Sequence, residues 1–152
     1  MAQRVAAFLG EARRSLDLAL YDVRLPDEPG DIVAAALLRG VVDCTQMEQV
    51  VHQWRTNGRS AWKIPNMASV LEHADFRGKP STRWTPESLH DFMHAKVTVA
   101  DDRVFAGSFN LSRSGEQNAE NVLELHNAKL ADRLAAFIDD VRERYPRMPA
   151  PA

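Results

Sequence analysis

The stretch His94-Ala-Lys96-Val-Thr-Val-Ala-Asp101 is followed, after five residues, by Gly107-Ser-Phe-Asn110. Its alternating valines, and the Asp-Asp-Arg sequence that separates them from Val104-Phe-Ala, predict a β-hairpin. Residues two apart on a strand share a face, so each half of the hairpin presents a pair of polar side chains on one side. The sequence therefore predicts that two polar pairs face each other across one hairpin.

The register of this hairpin decides which polar groups meet. We expect His94 to lie opposite Asn110. The same register places Lys96 opposite Ser108, and it requires a turn with an odd number of residues, such as residues 101–103. The four side chains would then converge on one patch beside Gly107, which lacks a side chain and permits close backbone approach.

Such a patch suits a phosphodiester. An ammonium group together with hydroxyl and amide donors can stabilise the charge that develops on phosphoryl oxygens, without help from a metal. The imidazole of His94 can attack phosphorus directly. We expect no metal and no cofactor.

The pattern His-x-Lys-x4-Asp followed by Gly-Ser-x-Asn resembles the signature of the phospholipase D superfamily. The resemblance is best over residues 90–125 and looser over the first strand and the last helix. It implies that His94 forms a covalent phosphohistidine and that Lys96 and Asn110 bind phosphoryl oxygens. It also implies that Ser108 and Gly107 help to hold the substrate.

Two acidic residues also fit the resemblance. Glu120, in Asn118-Ala-Glu-Asn121, is similar to the downstream acid of the family, which hydrogen-bonds the histidine ring. Asp101 is similar to the motif aspartate, and we interpret it as a residue of the turn and its hydrogen-bond network rather than as a proton carrier.

Displacement at phosphorus proceeds in line, so the leaving oxygen needs a proton donor on the side opposite the nucleophile. The chain has one copy of the motif, and His94 cannot stand on both sides. Family members bring two copies of the motif together at one site. We therefore expect a homodimer with a shared active site, to which each chain contributes one His94.

The rest of the chain alternates helical and strand patterns, so we predict the α/β class. The resemblance implies a phospholipase D-like sandwich, in which helices flank a mixed β-sheet, as one repeat of the two-repeat architecture. We predict a single domain over residues 1–145, with the motif-bearing part at about 88–126, and a Pro/Ala tail over 146–152. In the first half of the chain we predict a helix near residues 5–12, a strand from about 16 and a helix over 32–38, which Asp31 caps and Gly40 ends. A helix over 45–57 begins at the Thr45-Gln-Met-Glu48 capping box. We further predict one helix within 59–90, a strand over 121–125 and a helix along 130–145.

Composition limits the functional classes. The chain has 152 residues, a net charge of −2 and one cysteine, Cys44. This charge argues against a large surface for sequence-blind DNA binding. A single cysteine excludes a disulfide or a thiolate metal cluster within one chain. Charged residues interrupt the apolar stretches of the first twenty residues, so we expect no export signal, no transmembrane segment and a cytoplasmic location.

Several functional alternatives remain open. Hydrolysis of a phospholipid headgroup is our first interpretation, and a single-motif dimeric endonuclease of the same superfamily is the second. A noncatalytic or truncated relative, which binds phosphate or merely contributes a subunit, is the third. The pair His90 and His94 also permits a zinc site, provided that both lie on one helix, four residues apart.

Overall fold

The computed structural model describes residues 2–20, 37–110, 117 and 119–151. In these ranges the helices and strands follow one another along the chain as α1 (Ala2–Gly10), β1 (Ser15–Leu20), β2 (Leu37–Asp43), α2 (Cys44–Thr56), α3 (Lys63–His73), β3 (Asp75–Lys79), β4 (Lys96–Ala100), β5 (Arg103–Gly107), β6 (Val122–His126) and α4 (Ala128–Arg142). None of the helices in these ranges combines the length and the apolar content needed to cross a membrane.

The six strands form one sheet in the order β3-β2-β1-β4-β5-β6. Strands β1, β2 and β3 are parallel, whereas β4, β5 and β6 each run antiparallel to the preceding strand in that order. The mixed sheet that we expected is therefore present. Its antiparallel half contains the polar hairpin.

Helices cover both faces of the sheet because side chains on β1 alternate between them. Leu16, Leu18 and Leu20 pack with residues of α1, α2 and α3 in two adjoining clusters. Ala19 packs on the opposite face with Ile138 of α4. Of the helices in the described ranges, α4 thus covers one face, and α1, α2 and α3 cover the other.

The hairpin register differs from the predicted one. Val97 pairs with Ala106, and Ala100 pairs with Arg103, so the turn contains the two residues Asp101 and Asp102 rather than three. Asp101 adopts a φ of 56°, a conformation that aspartate tolerates better than most side chains. The two-residue turn shifts every cross-strand pair by one position, so the predicted pairing of His94 with Asn110 is wrong.

Two predictions in the first half of the chain are also corrected. Leu37 and Leu38 belong to β2 rather than to a helix, and Gly40 lies inside that strand; residues 31–36 of the predicted helix lie outside the described ranges. Asp43, not Thr45, caps α2, and it accepts a hydrogen bond from the Gln46 N–H at 3.0 Å. Asp43 ends a buried strand and has a β conformation, which is the geometry of an N-cap.

Strand β3 and the residues after α4 were not predicted to pair, yet they do. The Gly78 N–H donates to the Pro146 carbonyl at 3.0 Å, and the Met148 N–H donates to the Phe76 carbonyl at 2.8 Å. Residues 146–148 therefore cover the outer edge of β3. A covered edge leaves fewer unpaired backbone groups for another chain to bind.

Charged side chains are buried between the sheet and α4. Asp17 of β1 is fully buried and pairs with Arg39 of β2. Arg39 also contacts Asp139 of α4 at 2.9 Å. Burial raises the pKa of Asp17, because the charged carboxylate loses its water. These ion pairs tie two central strands to the helix.

Candidate active site

His94 lies on an irregular segment, residues 80–95, that leads into β4. Its side chain is exposed, and its ring lies 6.3 Å from the ring of Phe92. Partial desolvation, with a smaller effect of the nearby Lys96 charge, holds the pKa of His94 below its usual value. The lowered pKa favours the neutral ring, which is the form that a nucleophilic imidazole requires.

Lys96 is the first residue of β4 and pairs with Leu20 of β1. Its Nζ donates to the carbonyl oxygen of His94 at 2.8 Å. Continuing the hairpin register by one residue aligns Lys96 with Gly107 rather than with Ser108. The ammonium group is thus held close to the histidine by the backbone, and not by the cross-strand pair that we expected.

Ser108 follows β5 directly and is hydrogen-bonded to Asn121, the residue before β6. The Ser108 N–H donates to the Asn121 carbonyl at 2.9 Å, and the Asn121 N–H donates to Ser108 Oγ at 3.1 Å. Ser108 Oγ also donates to the Glu120 carboxylate. The structure therefore brings Ser108 and Glu120 together at one end of the sheet. The hydrogen bond that we expect between Glu120 and the histidine ring stays a prediction.

Gly107 and Asn110 flank this junction. A Cβ at Gly107 would lie 2.1 Å from the Asn121 carbonyl oxygen, so the missing side chain allows β6 to approach. This gives the glycine a packing role in addition to the substrate role that we predicted. The Oδ1 atom of Asn110 is buried and has no hydrogen-bond partner among the described residues. A buried acceptor without a partner is costly unless a ligand or water satisfies it.

Asp101 is held by the backbone of the segment that follows α1. Its carboxylate accepts hydrogen bonds from the N–H groups of Arg13 at 2.8 Å, Arg14 at 2.7 Å and Ser15 at 3.0 Å. Partial burial acts to raise the pKa of Asp101, but these three donors outweigh it, so the pKa lies below its usual value. The turn aspartate thus joins the hairpin to the start of β1.

The segment before His94 is held by a residue that the sequence did not single out. Asp43 is fully buried at the end of β2, and its Oδ2 accepts a hydrogen bond from the Met93 N–H at 3.0 Å. The contact with Met93 spans fifty residues of sequence, so no local pattern reveals it.

The helical geometry required by the zinc interpretation is not formed. His90 and His94 both lie on the irregular segment, where a spacing of four residues does not place two side chains on one helix face. Their rings each pack near the ring of Phe92, which lies between them in sequence.

A family model described as "Cardiolipin synthase, PLD-like domain" matches residues 5–141, which include every element from β1 to β6 and most of α4. The chain belongs to the phospholipase D-like family. The predicted family and fold class are confirmed, with this phospholipase D-like domain as a single repeat. No curated protein sequence matches it significantly.

Solved structures share its fold. The phospholipase D family member Nuc from Salmonella typhimurium superposes with a TM-score of 0.68 at 22% identity, over 96% of this domain and 90% of Nuc. NucT from Helicobacter pylori superposes with a TM-score of 0.64 at 17% identity, over 96% and 89% of the two chains. Phosphatidylserine synthase from Haemophilus influenzae has a TM-score of 0.66 at 14% identity, and the match spans 99% of this domain but 37% of the synthase.

Proposed function

We propose that this domain is a metal-independent phosphodiesterase that acts through a phosphohistidine at His94. The observation that carries the proposal is the position of Lys96, whose Nζ donates to the His94 carbonyl oxygen at 2.8 Å and so lies close to the imidazole. Partial burial and this charge lower the pKa of His94, which favours the neutral, nucleophilic ring. An imidazole nitrogen attacks phosphorus, and the bond to the leaving alcohol oxygen breaks as that oxygen takes up a proton. Water then attacks the phosphohistidine, releases the phosphomonoester and restores the imidazole.

The neighbouring polar groups support both steps. Lys96 supplies positive charge to the phosphoryl oxygens, and Ser108 is held in place by Asn121 and Glu120. The Nδ2 of Asn110 donates to a phosphoryl oxygen. Such preorganised donors stabilise the transition state because they need no reorganisation during the reaction. In this proposal Glu120 acts through its hydrogen bonds, as the acid that orients the site.

A second copy of the chain supplies the proton donor on the opposite side. Helix α4 leaves part of its sheet face uncovered, and Leu123 and Phe137 are 64% and 52% exposed there. Leu123 pairs with Ala106, so it lies on the α4 face of the sheet, opposite to the side chain of Lys96 but at the same end of the strands. We define the α4-side patch as Leu123, Leu125 and Phe137. Burial of this patch against its copy would bring two sites together by two-fold symmetry.

A phospholipid is the substrate class that we propose. Trp84 and Leu89 are 61% and 81% exposed, and both lie on the segment that leads to His94. Exposed large apolar groups beside a site suit a substrate with acyl chains. The net charge of −2 fits this class better than a polyanion. Nucleic acid is the second candidate substrate. It is favoured by the structural likeness to TrmBL2, an archaeal chromatin protein that shows a novel mode of DNA binding. The two structures superpose with a TM-score of 0.59 at 14% identity.

Covalent labelling tests the nucleophile. The protein is mixed with bis(p-nitrophenyl) phosphate and denatured in alkaline detergent, and its intact mass is measured. We expect one aryl-phosphoryl group on the wild type and on His52→Ala, and none on His94→Ala. His52 lies on the exposed face of α2, so its substitution is a matched control. Equal labelling of the two variants would contradict the assignment.

The substrate class is tested with short-chain phosphatidylcholine and with DNA, each at about 50 and 200 mM salt. We expect lipid cleavage that changes little with salt. DNA cleavage that falls by about a thousandfold over this range would indicate many phosphate contacts and would favour the nuclease.

A further inference from the structure

Asp43 makes contacts well beyond the cap of α2. Its Oδ1 accepts hydrogen bonds from the Gln46 N–H at 3.0 Å and from Ser81 Oγ at 2.8 Å, while its Oδ2 accepts from the Met93 N–H at 3.0 Å. The residue is fully buried. One carboxylate therefore binds a helix and two distant points of the chain.

These two points lie near the two ends of the irregular segment, residues 80–95, that precedes the hairpin. Ser81 is near its start, Met93 is near its end, and His94 follows Met93 directly. The Ser81 N–H also donates to Thr45 Oγ1 at 3.0 Å, which joins the same end to the first turn of α2. Hydrogen bonds thus connect the backbone next to His94 with the β2–α2 junction.

A second carboxylate, that of Asp91, hydrogen-bonds within the irregular segment but does not contact the β2–α2 junction. The Thr82 N–H donates to Asp91 at 2.7 Å, and Lys79 Nζ donates to the Asp91 carbonyl oxygen. These contacts hold residues 82–91 together as a loop. Asp43 alone of the two carboxylates bonds the residue adjacent to His94.

We propose that Asp43 is a positioning residue, which fixes the backbone of Met93 and thereby holds the His94 ring in line with the phosphorus atom. This inference rests on the function proposed above for His94. A displacement of about 1 Å at a reacting group can lower the rate about a hundredfold. Loss of the Met93 contact should therefore lower kcat and leave KM nearly unchanged, because the groups that bind phosphate remain.

Asp43→Asn is the informative substitution. Asparagine is as good an N-cap as aspartate, so its oxygen can retain the bonds to Gln46 and Ser81. Its amide nitrogen then faces the Met93 N–H, and two donors cannot bond each other. We expect kcat to fall by about 10- to 100-fold with KM within about threefold, and the amide hydrogen of Met93 to exchange at least about tenfold faster.

Asn127→Ala is the matched control. Asn127 caps α4 through the Leu130 N–H at 3.0 Å, so this variant loses a cap of the same kind on another helix. We expect its kcat to stay within about twofold of the wild type. An equal loss of kcat in both variants would mean that Asp43 acts only through general stability, and would overturn the inference. A wild-type kcat in Asp43→Asn, with the Met93 amide unprotected, would overturn it as well.

A readout independent of activity separates this inference from the proposed function. In nuclear magnetic resonance spectra the His94 ring signal should move in Asp43→Asn and stay in place in Asn127→Ala. If the wild type shows no turnover, the proposed function fails, and this ring signal still decides whether Asp43 positions His94. An unmoved His94 signal in Asp43→Asn would refute the positioning role.

Discussion

At the scale of single residues, the chemistry of the site depends on how the backbone holds His94 and Lys96. The lysine donates to the histidine's own carbonyl oxygen, so its charge lies near the imidazole. Burial and this charge both disfavour the imidazolium. In the function proposed above, this arrangement favours a neutral nucleophile at His94 beside a cationic phosphate ligand at Lys96.

Lys96→Met should raise the pKa of His94, because it removes the nearby charge and retains most of the side-chain stem. The acid limb of the rate profile should then move to higher pH, since activity appears as His94 loses its proton. Titration of the His94 ring signal measures the change. Lys129→Met, on the exposed surface of α4, is the control and should leave that signal unaltered. An unchanged His94 titration in Lys96→Met would contradict the electrostatic interpretation.

Asp101→Asn should lower stability at neutral pH by about 1–2 kcal/mol, because the Arg13 N–H loses a charged acceptor. The folded-state pKa of Asp101 is depressed, so the stability from its ionised form is present above the unfolded pKa of about 3.8 and is lost as pH falls through the folded pKa. Urea unfolding at pH 7 and at about pH 3 measures this effect. The difference in the free energy of unfolding between Asp101→Asn and wild type should be smaller at the acidic pH.

The exposed Asp132 provides the comparison for Asp101. Asp132→Asn on α4 should change the free energy of unfolding by less than about 0.5 kcal/mol at pH 7. A gap between Asp101→Asn and wild type that stays constant down to pH 3 would show that the charge of Asp101 does not stabilise the turn.

At the scale of elements, the junction of β5 and β6 organises the polar groups. Gly107→Ala places a methyl group 2.1 Å from the Asn121 carbonyl oxygen, so β6 must shift and carry Glu120 with it. We expect a loss of about 1–3 kcal/mol in the free energy of unfolding and lower turnover, measured by thermal unfolding and phosphodiester hydrolysis. Gly10→Ala, at the end of α1, meets no atom within 4 Å and should not destabilise the fold.

In the β4–β5 hairpin, the sequence pattern predicted the two strands but not the length of the turn between them. The short apolar runs Val97-Thr-Val and Val104-Phe-Ala located β4 and β5 correctly, because strands covered by helices on both faces bury consecutive side chains. The pattern could not distinguish a two-residue turn from a three-residue turn. That choice depends on the φ of Asp101 and on three donors that lie far away in sequence. The cross-strand pairs of the polar residues were therefore predicted wrongly, and the roles of these residues in a site stay a prediction.

At the scale of the molecule, the proposed dimer should depend on the α4-side patch. Phe137→Glu and Leu123→Glu each place a charge on an exposed apolar side chain, so they should weaken dimerisation by about 30-fold or more without unfolding the chain. Sedimentation should then show monomers, and turnover should fall in parallel. Gln49→Glu, on α2 at the other face of the sheet, should change neither property. Unchanged mass and turnover in the patch variants would refute this interface.

The order of residues along the chain was sufficient to identify the family, the α/β class, most helices and strands, and the candidate catalytic residues. Hydrophobic periodicity and short motifs are local properties, and they can be read without knowing what lies nearby. Tertiary structure alone decided the turn, the pairing of β3 with residues 146–148, and the contact of Asp43 with Met93. These features depend on groups far apart in sequence, and they form only when packing of the sheet brings those groups within hydrogen-bond distance.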